Sequence, residues 1–170
     1  YFAIHEDTFD IYRGDKLYIC NQKGATDEEV QRFIEEQIFL REYRGQLHRY
    51  LNLHRNIWEQ IAAVKERGTM RGSDIPAFKA KVDGYKKTID FTGTRINQMD
   101  TYLHTRKAIA DSDARLEKFQ NVLGYKHETL HDTLEYIQDL WDLTQKYVDQ
   151  TVKLFSDLQA ESTNNSVENL

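Results

Sequence analysis

The chain has 170 residues, 30% of them Asp, Glu, Lys or Arg, and a formal net charge of −5. An acidic balance excludes a general nucleic-acid binder, because phosphate binding needs a basic surplus. The one cysteine, Cys20, excludes an internal disulfide framework and agrees with a reducing compartment. No apolar run approaches the roughly 20 residues that span a bilayer, and no signal peptide is visible. The chain begins at Tyr1 without a methionine and reads as a piece of a longer protein.

Phe9, Ile11, Leu17 and Ile19 alternate with period two on either side of Arg13-Gly14-Asp15-Lys16, which predicts a β-hairpin within residues 1–22. A lone hairpin is marginal in water, so it is expected to be the remnant of an upstream α/β domain. Gly and Asp suit a tight turn, which explains Arg13-Gly14-Asp15 better than an adhesion motif does.

The first helix, about 27–67, opens at a capping box of Thr26 and Glu29 and stops at Gly68. Its apolar stripe runs Val30, Phe33, Ile34, Ile38, Leu40, Tyr43, Leu47, Tyr50, Leu51, Ile57, Trp58, Ile61 and Val64. The second, about 74–109, takes Ser73 as N-cap. It advances in steps of three and four through Ile75, Phe78, Val82, Tyr85, Ile89, Thr92, Ile96, Met99, Leu103, Arg106 and Ala110. Such steps are the seam of a coiled-coil-like helix. The third, about 112–160, starts among Asp111 and Asp113, whose charge suits a helix N-terminus. It runs through Leu116, Phe119, Leu123, Leu130, Leu134, Ile137, Trp141, Tyr147, Val148, Val152, Phe155 and Leu158. Short connections join antiparallel neighbours. The expected fold is mainly α: three long antiparallel helices in a coiled-coil-like bundle over 26–160, after the hairpin remnant. Residues 161–170 form a polar helix end.

His127-Glu128-Thr129-Leu130-His131 matches H-E-x-x-H, in which two histidines one turn apart bind zinc and the glutamate acts as base. A catalytic centre needs a third ligand, and no histidine follows His131. Cys20 lacks a nucleophile's local signature, no glycine-rich phosphate loop is present, and a diiron site would need Glu-x-x-His on more than one helix. No enzyme activity is expected. On the third helix Glu128, Asp132, Glu135, Asp139, Asp142 and Asp149 draw one acidic stripe, a candidate surface for cations or a basic partner.

The stretch from Val152 to Leu170 resembles the end of the cytosolic stalk helix in the CorA-type magnesium transporter family. There a long acidic helix reaches a Thr-Asn pair, here Thr163-Asn164, and then apolar residues, here Val167 and Leu170. Two long antiparallel helices feeding a longer third are also similar in plan to that family's cytosolic arm. The resemblance implies a homopentameric channel for Mg²⁺ or another divalent cation. This chain would be its part on the cytoplasmic side of the inner membrane, anchored by spans beyond Leu170. It further implies that Asn164 faces the ion path, that Val167 stands where the family usually has methionine, and that Leu170 forms the next apolar ring. No cofactor other than a divalent cation is implied, and no single aspartate matches a family metal site. A spectrin-like scaffold joining protein partners is the alternative, since Trp58 and Trp141 on apolar stripes suit it equally.

Overall fold

The computed structural model describes residues 2–14, 17–66 and 72–168; at Phe2, 64–66, Gly72 and 162–168 it describes the backbone alone. It is mainly helical, with three helices after a small antiparallel sheet. Two compact units divide the chain, Tyr1–Gln46 with Asp100–Asp132 and Leu47–Met99 with Thr133–Leu170.

In the N-terminal unit the expected hairpin is present as β2 (Phe9–Arg13) and β3 (Tyr18–Gln22), and β1 (Phe2–His5) pairs antiparallel with β2. The extra strand that a marginal hairpin needs therefore comes from within the chain. A turn at residues 6–8 makes this possible, with the Glu6 amide donating to the Phe9 carbonyl at 2.9 Å. Asp10 is almost fully buried in β2, where the Lys23 ammonium, then the His5 ring, hold its carboxyl below the ordinary range. Phe9 anchors the sheet to the helices. Its ring lies 5.6 Å from Phe33 and 4.7 Å from Phe119, and those two stack at 4.5 Å. All three rings are fully buried.

Helix α1 spans Asp27–Glu66 and opens as expected. The Thr26 amide donates to Glu29 Oε2 at 2.7 Å, and the Glu29 amide donates to Thr26 Oγ1 at 3.3 Å. Its predicted stop at Arg67-Gly68 lies outside the described residues. Helix α2 spans Ile75–Ser112, three residues longer at its end than the spacing predicts, and follows a 3₁₀ turn at Gly72–Asp74. Ser73 sits inside that turn, with its hydroxyl donating to Asp74 at 3.3 Å. Helix α3 spans Gln120–Glu168 and is preceded by a 3₁₀ segment, Ala114–Phe119. Asp113 is the cap of that segment and accepts from the Arg115 amide. Leu116 and Phe119 eclipse one another at three residues per turn, so both are buried. An α-helical first turn would place them about 60° apart.

The seam expected of α2 is buried at least once in each heptad, while its members Phe78, Tyr85, Met99 and Arg106 are half-buried. Ile75, Val82, Ile89, Ile96, Leu103 and Ala110, seven apart, are all buried. On α3 the steps of four and three run Leu123, His127, Leu130, Leu134, Ile137, Trp141, Thr144, Val148, Thr151 and Phe155, and every one is buried. Thr144 and Thr151 are tolerated there because each hydroxyl donates to the carbonyl four residues back, at 2.9 and 2.7 Å. In the C-terminal unit buried His54 lies 6.0 Å from Trp58, which is itself 39% exposed, and 6.1 Å from buried Trp141.

Candidate metal centre

The N-terminal unit is tied internally by a buried charge network. Glu36 of α1 is fully buried, accepts from Arg32 and Arg106 at 2.9 Å each, and has His127 Nε2 at 3.9 Å. Arg32 also donates to Asp113 at 2.9 Å. Burial of the Arg32 guanidinium opposes its charge, but Asp113 and Glu36 outweigh that and raise its pKa. Arg106, a charged residue on the α2 seam, is thus accounted for by the carboxylate it meets.

Beside this network the end of α2 and the start of α3 bring three possible metal ligands together. Asp100 and His104 are one turn apart on α2, and His131 faces them from α3, with one ligand atom from each lying within 4.8 Å of the others. The His104 and His131 rings meet edge to face, centroids 5.1 Å apart. His104 Nδ1 lies 3.0 Å from the Asp100 carbonyl oxygen and 3.2 Å from its Oδ1. The adjoining cavity has a volume of ≈ 310 Å³ and is lined by His104, His127, His131, Glu128 and Asp132, among others. Lys107 also lines it, with its ammonium bound to Asp111 at 2.6 Å.

His127 occupies the core position between Leu123 and Leu130, only 2% exposed, and neither ring nitrogen has a hydrogen-bond partner among the described residues. Burial first, opposed by Glu36, lowers its pKa, so the ring is held neutral at pH 7. The H-E-x-x-H histidines are therefore used differently: His127 packs in the seam, and His131 joins a carboxylate and a histidine from another helix. Of the motif only His131 belongs to the triad, and its other two members, Asp100 and His104, come from α2. Two imidazoles and one carboxylate suit Zn²⁺, Co²⁺ or Ni²⁺ better than Mg²⁺, which prefers oxygen ligands and retains water.

The acidic stripe is on the surface as its spacing predicted: Glu128, Asp132, Glu135, Asp139, Asp142 and Asp149 are all exposed. Asp132 and Glu128 line the cavity of the triad. In the C-terminal unit Asp139 and Asp142 share a polar groove with Asp90, and Asp149 pairs with Lys86. Asn164 and Val167 lie on α3, but their side chains are outside the described residues, as is Leu170 altogether. Cys20 is half-buried, and that burial pushes its thiol pKa up, against a nucleophilic role. No family model matches the chain, and no curated protein or solved structure matches it either.

Proposed function

We propose that the chain is the cytosolic helical domain of a CorA-like divalent-cation transporter, a homo-oligomer on the cytoplasmic side of the inner membrane. The observation that carries this reading is α3. It runs as one helix from Gln120 to Glu168, passes Phe155, the last fully buried apolar residue among the described residues, and includes Thr163 and Asn164 without a break. A helix that continues past its core contacts is suited to act as a stalk. A cation bound at the Asp100–His104–His131 triad would tie α2 to α3 and bias the helical domain, with Co²⁺ rather than Mg²⁺ the transported ion that fits those ligands. No helix among the described residues is long and apolar enough to cross a membrane. The reading therefore assigns the pore to segments beyond Leu170.

The test uses the full-length gene product in liposomes loaded with a divalent-sensitive dye. The reading expects Mg²⁺ or Co²⁺ entry, an assembly of about five chains, and two hydrophobic spans of roughly 20 residues after Leu170. A polar continuation and a monomer without flux would overturn it and leave a scaffolding bundle.

A further inference from the structure

A second concave feature of the N-terminal unit, apart from the triad, has the opposite electrostatic character. It is a groove of ≈ 480 Å³ lined from β1, β2, α1 and α3. Its lining holds four cations, Arg13, Arg41, Arg44 and Lys126, against one carboxylate, Glu6. Such a concentration is not expected from a chain of net charge −5. Arg41 is tied to Glu42 at 3.1 Å.

The more telling group is Gln37. It is 4% exposed and lines the groove, and its Oε1 accepts from the Lys126 ammonium. That bond fixes the amide orientation, leaving Nε2 as a buried donor with no partner among the described residues. A buried N–H without an acceptor is costly, and such groups in native proteins call for an explanation. Lys126 points the same way: burial first, then the nearby charges of Arg13 and Arg44, lower its pKa to about 8. The rest of the wall is mixed: Ile4, Leu40, Val122 and Leu130 are apolar, and Asn121 and Thr129 add polar groups.

We propose that this groove binds one small amphiphilic anion, with a carboxylate or phosphate head held by Arg13, Arg44, Lys126 and Gln37 Nε2, and a short apolar chain lying along Ile4 and Val122. Cationic side chains alone would attract any anion. The buried amide donor fixes where an acceptor oxygen sits, and the apolar wall selects against a fully hydrated ion.

Calorimetric titration of the 170-residue chain with decyl phosphate, decanoate and inorganic phosphate tests this. One amphiphile should bind per chain, and inorganic phosphate at least about tenfold more weakly. Arg44→Ala, at an exposed position, and Gln37→Leu should each weaken decyl phosphate at least about tenfold, whereas Lys153→Ala in the other unit should leave it unchanged. If Gln37→Leu does not fold, Arg44→Ala still decides. Sedimentation with phosphatidylglycerol and phosphatidylcholine vesicles separates the sources. Arg44-dependent binding to the anionic vesicles assigns a lipid headgroup, and binding of the monomeric amphiphiles alone assigns a soluble ligand. Absence of amphiphile binding, equal affinity for inorganic phosphate, or equal effects of Arg44→Ala and Lys153→Ala would overturn the proposal.

Discussion

Replacing Glu36 by Gln removes one negative charge and little volume, so its cost isolates the buried network of the N-terminal unit. Glu36 is fully buried and accepts from two guanidinium groups, Arg32, whose side chain is 8% exposed, and Arg106, at 27%. After the change Arg32 keeps Asp113, whereas Arg106 is left without a carboxylate among the described residues. Breaking a buried ion pair by removing one partner costs about 3–5 kcal/mol. Because Arg106 can still reach water, the lower end applies, about 3 kcal/mol. For a chain of this size that lowers Tm by roughly 6–12 °C. The comparison is Glu42→Gln. Its pair with Arg41 is largely exposed, and exposed pairs contribute about 0.2–1 kcal/mol. Circular dichroism melts of the three proteins at pH 7 give the answer. Equal melting of the Glu36 and Glu42 variants would refute the view that this network holds the unit together.

Phe119→Ala should cost about 3–5 kcal/mol in urea denaturation, because its ring is shared between Phe9 and Phe33, while Phe91→Ala, 64% exposed, should stay within about 0.5 kcal/mol. Burial lowers the pKa of both His54 and His127, so the unfolded chain takes up protons before the folded one does. Their contribution is complete above the unfolded value of about 6.5 and is lost as pH falls from there towards the folded values. Stability should decline from pH 7 to pH 5, by at most about 1.4 kcal/mol per pH unit for each histidine. His127→Leu should remove part of that decline, and an unchanged difference between melts at pH 7.5 and 5.5 would count against a neutral, buried His127.

Much of the fold is legible in the sequence because it rests on local periodicity. The steps of three and four on α2 and α3 are backbone geometry written in side chains, and the Thr26–Glu29 capping box acts within one turn. Strand β1 is harder to see. Phe2-Ala3-Ile4-His5 is short, and Glu6-Asp7-Thr8 lacks the glycine that marks most tight turns. The 3₁₀ segment escapes detection for a related reason, since Leu116 and Phe119 at a spacing of three also fit an α-helical stripe.

The candidate metal centre is less legible still. His104 and His131 are 27 positions apart, and nothing local says that α2 and α3 bring them together. The motif that attracts attention, His127 to His131, misleads because His127 is one heptad before Leu134 on the buried seam. Reading that seam with His127 in it identifies the residue as a core histidine. Arg106 carried a comparable signal: a cation on an apolar seam calls for a buried partner, and Glu36 is that partner.

The most direct test is calorimetric titration of the chain with Zn²⁺ and Mg²⁺, repeated on His104→Ala, whose exposed position makes the substitution safe for folding. The triad predicts one Zn²⁺ per chain, affinity reduced at least about tenfold by His104→Ala, and no competition from millimolar Mg²⁺. Zinc binding that survives His104→Ala unchanged, or that Mg²⁺ displaces, would contradict a metal centre at Asp100, His104 and His131.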